Sequence, residues 1–201
     1  VIRVLIADDE ELIRVALAQL LTLEDDVDVV AQAADGRDAV ESAARHRPDV
    51  AVVDLDMPRL DGMGVAAELA RALPTCRTVI LTGRGRPVHL PAALAAGARG
   101  FVVKGASAAT LADVIRRVHG GQRYVDPALA ADALSLPPSP LTERERDVLR
   151  LAARGMDVAG IALRLHLARG TVRNVLTACR QKLGSVTVAD AARDAEASGW
   201  I

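Results

Sequence analysis

At 201 residues, 51% hydrophobic and 25% charged, the chain is long enough for one ordinary domain and a smaller second one, and its composition excludes a disordered or fibrous protein. It holds one Trp, one Tyr and one Phe, so Ala, Leu, Val and Ile must build its cores, and aromatic stacking is not expected to carry its function. The net charge of −1 conceals an asymmetry: residues 1–136 carry 15 basic and 19 acidic side chains and residues 137–201 carry 10 and 7, which makes the C-terminal part the candidate for a polyanion.

In chain order, "VIRVLIA" (1–7) reads as a buried strand and is followed by a helical pattern near 11–22. The alternation repeats four times: "VDVVAQA" (27–33) with a helix near 36–46, "VAVVD" (50–54) with 62–72, "TVILT" (78–82) with 91–96, and "GFVVK" (100–104) with 108–119. Nearly continuous apolar strands must be covered twice, so these units predict a five-stranded, doubly wound parallel sheet of the α/β class. "GRGRP" (83–87) and Pro91 leave the fourth helix short. The first domain is expected over 1–120, and over 121–140 the pattern lapses into a linker, "GQRYVDPALAADALSLPPSP", with some helical potential in its middle.

From 141 to 201 a small all-α domain is predicted. Thr142 is the expected N-cap of its first helix, Glu145 completes a capping box, and Gly155 stops the helix; further helices follow at about 158–165, 169–183 and 188–198. Cys76 and Cys179 stand alone and read as small apolar fillers. Apolar runs are broken by charges well before the roughly 18 residues that span a bilayer, and the N-terminus lacks a leader pattern. No membrane insertion and a cytoplasmic location are expected.

In a doubly wound sheet, ligands bind outside the carboxyl ends of the strands. The odd polar residues fall there: Asp8, Asp9 and Glu10 after the first strand, Asp54 and Asp56 at the third, Thr82 at the fourth, Lys104 at the fifth. The first and third strands should be neighbours, bringing the carboxylates together. Clustered carboxylates repel unless neutralised, and an all-oxygen set with one lysine suits a hard cation such as Mg²⁺. With its charge masked, Asp54 becomes a nucleophile toward phosphorus, and Lys104 stabilises the transferred oxygens.

On "ADDEE" (7–11), "VVDLDMPRLDG" (52–62), "VILTG" (79–83) and "AGARGFVVKG" (96–105), residues 1 to about 120 resemble the receiver domain of bacterial two-component response regulators, a flavodoxin-like fold. The resemblance implies that Asp54 accepts phosphate from a histidine kinase, that Asp8 and Asp9 serve Mg²⁺ together with Asp54, that Lys104 contacts the phosphoryl group, and that Thr82 and Phe101 form the switch pair. Such a protein is no enzyme beyond its own phosphorylation and dephosphorylation. Asp56 and Arg84, each two residues past a site residue, are expected to tune phosphoryl lifetime.

Residues 141–197, through "LTERERDVLRLAARG", "IALRLHLARGTVRNVL" and "KLG", resemble the LuxR-type helix-turn-helix of the NarL/FixJ subfamily. That likeness implies a helix from Arg169 in the major groove of double-stranded DNA, with Arg169, Thr171, Arg173, Arg180 and Lys182 as contacts. Ala168 stands where the family often has a capping Ser, a loss of roughly 1 kcal/mol. Gly160 replaces a Glu, and Val175 and Val188 also depart from the pattern. Phosphorylation is expected to drive homodimerisation through the first and fifth helices, with Arg14, Gln19, Asp113 and Arg117 facing outward. Two rivals are a phosphohydrolase of the haloacid dehalogenase type, whose chain order differs because Asp8 and Asp9 precede the nucleophile, and a receiver whose helix-turn-helix binds protein instead of DNA.

Overall fold

Short apolar strands cannot satisfy their backbone polar groups alone, and here six of them pair in parallel. The computed structural model describes residues 1–83, 87–135 and 138–201; Arg84 and parts of the 83–87 and 136–140 stretches lie outside them. The strands are β1 (Ile2–Ala7), β2 (Val27–Ala33), β3 (Val50–Asp54), β4 (Arg77–Thr82), β5 (Gly100–Val103) and β6 (Tyr124–Val125). Their order is β2-β1-β3-β4-β5-β6, every pairing parallel. The winding reverses at β1, so β1 and β3 are neighbours, as expected. The sheet itself gains a sixth strand over the five predicted.

The connecting helices are α1 (Glu11–Leu21), α2 (Gly36–His46), α3 (Gly62–Ala72), the short α4 (Leu90–Ala95), α5 (Ala108–His119) and α6 (Pro127–Leu134). Short polar side chains start several of them: Asp35 accepts from the Arg37 and Asp38 N–H groups, Asp61 from Gly64, and Ser107 from Thr110. Odd and even strand positions feed two cores. Leu5, Val53, Ile80 and Phe101 pack on one side with Val65, Leu69 and Leu90, while Val4, Val52, Val79 and Val102 pack on the other with Leu21, Leu111 and Ile115.

The stretch read as a linker is not a bare tether. Contacts divide the chain at 134, so β6 and α6 belong with the first unit, Val1–Leu134. β6 pairs Tyr124 with Gly100 and Val125 with Phe101, the Asp126 N–H donates to the Phe101 carbonyl at 3.0 Å, and the Asp126 carboxylate accepts from the Ala128 N–H at 2.9 Å, opening α6. Leu129 then enters the core that holds Phe101 and Leu90. A two-residue strand among Gly, Gln and Pro has no periodicity to read, which is why sequence patterning passes over it.

The second unit, Ser135–Ile201, holds α7 (Glu143–Ala153), α8 (Val158–Arg164), α9 (Arg169–Leu183) and α10 (Val188–Ala197). Thr142 and Glu145 form the predicted capping box, and Gly155 takes the left-handed conformation (φ 78°) just past α7. Val148, Leu149, Ile161, Val172, Leu176 and Cys179 share the core. Both cysteines are buried free thiols, and burial pushes Cys76 up to about 12 and Cys179 up to about 11. Gly160 has a local reason: a Cβ there would lie 2.9 Å from Met156 Cγ and 3.1 Å from the carboxylate of Asp157, which caps α8.

If α6 is part of the receiver core, Leu129→Ala in the full chain should lower the stability of the first unit by roughly 2–4 kcal/mol, the range for a buried Leu truncated to Ala. Urea titration followed by hydrogen exchange at both units checks this. The second unit's transition should stay where it is.

Candidate functional site

Four strand ends deliver the site. β1 runs into Asp8, buried, and Asp9, exposed; β3 ends at Asp54, 3% exposed; β4 ends at the buried Thr82; Lys104 follows β5. Oxygens from Asp8, Asp9 and Asp54 all lie within 4.8 Å of one another. Lys104 Nζ sits 3.0 Å from Asp8 Oδ2 and 3.0 Å from Asp54 Oδ2, and the Lys104 N–H donates to the Thr82 carbonyl at 2.8 Å, which fixes the root of the side chain against β4. Gly62 closes the floor, because a Cβ there would stand 2.3 Å from the Asp54 carbonyl oxygen. The first turn of α3 can thus lie directly against the acceptor strand only without a side chain.

Electrostatics follow from burial. Removal from water pushes Asp54 up to about 6, against the opposing pull of the Lys104 ammonium, while the Asp8 charge adds to the rise. Burial works against the Lys104 charge, yet the Asp8 and Asp54 carboxylates beside its ammonium hold it above the ordinary lysine range. Among the described residues two buried polar atoms, Asp8 Oδ2 and Thr82 Oγ1, make no hydrogen bond; the lysine beside Asp8 Oδ2 meets it as an ion pair by distance. An unsatisfied buried group costs about 1–3 kcal/mol. An all-oxygen donor set with a free carboxylate lone pair fits a hard divalent cation, and the Thr82 hydroxyl has a proton ready for an incoming oxygen. The acidic pair reaches Asp54 from β1, upstream of it in the chain, which is not the order of a haloacid dehalogenase.

Phe101 is fully buried, with Ile80 opposite it on β4 and Val125 on β6. Its ring therefore occupies the inward position in this structure. Asp56 is exposed at the rim of the site.

Sequence patterning misses two partners. Glu10 reaches Lys104 Nζ at 3.2 Å. Arg14, expected to face outward for dimer contacts, is half-buried and donates from Nη1 to the Asp8 carbonyl at 2.7 Å. Asp113 and Arg117 also turn to one another, at 2.8 Å, and Arg117 lies over the Tyr124 ring, 5.8 Å from its centroid. Gln19 remains exposed. What α1 offers solvent is largely apolar: Leu12 is 83% exposed and Leu20 44%, with Val15 between them. Only the final partner of a charged side chain separates these cases, and a helical period cannot name it.

On α9, Arg169, Thr171, Arg173 and Arg180 are all exposed, and among the described residues no ion pair holds any of the three arginines. At about 100° per residue the arginines fall within roughly 40° of each other, whereas Thr171 and Lys182 fall on the far edge of the exposed arc. Lys182 donates to Glu145 Oε2 at 2.7 Å, the oxygen that also accepts the Thr142 N–H. Although burial opposes its charge, Glu145 is held below the usual carboxylate range by Lys182 and Thr142. Lys182 thus ties α9 to α7, a structural task that the resemblance does not assign it. The middle of the exposed arc carries Asn174, Thr177 and Gln181, polar side chains that charge patterning does not single out. Ala168 is the N-cap of α9 and makes no capping bond.

The chain matches the family described as response regulator receiver domain over residues 4–116 and that described as bacterial regulatory proteins, luxR family, over residues 139–195. It is 39% identical over 200 residues to the uncharacterized transcriptional regulatory protein YvfU of Bacillus subtilis, covering 100% of both. It is 36% identical over 200 residues to the transcriptional regulatory protein DesR of the same organism, covering 100% of this chain and 99% of that one. Among solved structures, the response regulator ChrA of a heme-sensing two-component system is similar at a TM-score of 0.59 and 31% identity, across 100% of this chain and 98% of that one. A carboxylate cluster at the switch point, a basic helix in a separate all-α unit, and matches to both family models place this chain among the two-component response regulators of the NarL/FixJ class, with a receiver followed by a LuxR-type helix-turn-helix.

Proposed function

We propose that the protein takes a phosphoryl group onto Asp54 from a histidine kinase and, as a homodimer, binds double-stranded DNA through α9. The observation that carries this reading is the convergence of Asp8, Asp9 and Asp54 oxygens within 4.8 Å, with Lys104 against two of them. An Asp54 oxygen attacks phosphorus as the bond from phosphorus to the histidine nitrogen breaks, leaving an acyl phosphate. Mg²⁺ held by Asp8, Asp9 and Asp54 would supply charge neutralisation at the phosphoryl oxygens. Lys104 pairs with one of those oxygens, and the unpartnered Thr82 hydroxyl donates to another. Chemistry is confined to the protein's own aspartate, and the work is done in the cytoplasm; among the described residues no helix is long and apolar enough to cross a membrane.

For dimerisation, α1 and α5 lie side by side on one face of the sheet. Leu12, Val15 and Leu20 are exposed along α1, so apolar burial across a twofold axis carries the contact and the charged residues flank it. On DNA, Arg169, Arg173 and Arg180 meet phosphates, while Asn174 and Gln181, at the centre of the arc, face base edges.

Three outcomes test the reading. In Mg²⁺ and acetyl phosphate, Asp54→Asn should abolish the shifted band on phosphate-affinity gels, Asp9→Asn should raise the Mg²⁺ needed several-fold, and Asp113→Asn should change nothing. Retained label on Asp54→Asn defeats the assignment.

The second outcome concerns pH. Asp54 sits near 6 in the fold and at 3.8 when unperturbed, so the folded state favours its neutral form. That contribution is complete below about pH 4 and is lost as pH rises through 6. In EDTA, wild type should lose up to about 3 kcal/mol relative to Asp54→Asn between pH 4 and 7.5, read from thermal midpoints. Parallel pH profiles for the two proteins contradict it.

The third is at the DNA. Arg173→Ala should weaken binding across all sequences and flatten the plot of log affinity against log salt by about 1, whereas Asn174→Ala should cost about 1–3 kcal/mol at one base position only. Binding competition at several salt concentrations separates them. A salt-independent affinity would favour a protein partner for α9.

A further inference from the structure

Lys104 has a third neighbour that the phosphoryl-transfer reading does not use. Its ammonium has three N–H groups, and three carboxylates stand round it: Asp8 and Asp54 at 3.0 Å and Glu10 at 3.2 Å. Two of the three are buried within the sheet edge, but the Glu10 side chain is 61% exposed.

The position of Glu10 sharpens the contrast. It is the N-cap residue of α1, where a side-chain oxygen ordinarily accepts from the first-turn N–H groups, and it makes no such bond. Its own N–H is pinned to Asp8 Oδ1 at 2.9 Å, so the backbone is fixed in the acidic loop and only the side chain is free to swing. That side chain crosses to Lys104. A phosphoryl oxygen arriving on Asp54 needs one N–H of the same ammonium. Asp8 and Asp54 are buried at the sheet edge, whereas Glu10, largely exposed, returns to water at little cost.

We propose that Glu10 is a positioning residue that holds Lys104 in the resting site and must release it before the lysine can anchor the phosphoryl group, so that it restrains the rate at which Asp54 is phosphorylated. The inference rests on Asp54 being the acceptor. While Glu10 is engaged, the lysine is directed to the mouth of the site and the mouth carries an additional negative charge toward an anionic donor. Once the acyl phosphate exists, Glu10 is already displaced, so phosphate loss should not depend on it.

The test uses the full chain, Mg²⁺ and acetyl phosphate, with formation and decay of the phosphorylated protein followed on phosphate-affinity gels. Glu10→Gln should speed formation about three- to fivefold, the scale of an exposed ion pair, chiefly by lowering the donor concentration that gives half the maximal rate. Its decay half-life should stay close to wild type. Glu11→Gln removes the same charge one residue along, from an exposed position in the first turn of α1, and should change formation less than about 1.5-fold, since at this distance from the lysine the loss is largely screened. If wild type takes no label, the acceptor reading itself fails and this inference with it. If wild type is labelled but Glu10→Gln forms its phosphate no faster than Glu11→Gln, or forms and loses it faster in equal measure, Glu10 does not restrain Lys104 and the proposal is wrong.

Discussion

One ammonium holds the molecule's active edge together. Asp8 and Asp54 are both buried, and two carboxylates at that spacing would drive their strands apart if nothing stood between them. Lys104 does so from the end of β5, reaching across β4 to β3 and β1. The cost of the arrangement remains visible in the raised Asp54 and in the Thr82 hydroxyl with no partner. A site built this way is stable enough to fold and keeps a concentration of negative charge that a hard cation would relieve.

Much of this was legible in the residues because the relevant signals are one-dimensional. The patterns at 36–46, 62–72 and 108–119 coincide with α2, α3 and α5, each opened by an Asp or Ser side chain that names its own start. Strand ends are equally readable, since a run such as Val50–Val53 can stop only where a carboxylate begins. What escaped had no such signal. β6 is too short to alternate, and Arg14 and Lys182 sit where a helical period puts them but bond to groups outside their own helices, the Asp8 carbonyl and Glu145. The tight approach of Gly62 to the Asp54 carbonyl emerges only when α3 is laid against β3.

The second unit is organised by a different economy of charge. Its core is small and aliphatic, with Ala191, Ala192 and Ala195 letting α10 lie close to its neighbours. One polar knot, in which Thr142 and Lys182 share the Glu145 carboxylate, joins the first helix of the unit to the end of α9. The arginines at the other edge of α9 are thereby left to solvent while the helix that carries them is held from behind. Rigidity at one edge and availability at the other suit a surface that must meet a regular polyanion.

The docking of α6 on the receiver changes where the two halves of this protein can be separated. The only phenylalanine in the chain shares its strand register with Val125, accepts a backbone hydrogen bond from Asp126, and packs in one core with Leu129. The segment that leaves the first unit is thus anchored on Phe101. A recombination junction cut at the end of α5 would exchange output domains and also strip the receiver of an edge strand and a core helix. A junction after Leu134 would transfer the first unit with its edge strand and core helix intact. Output units in this architecture are interchangeable only beyond that point, and the apparent spacer before it belongs to the input side of the gene.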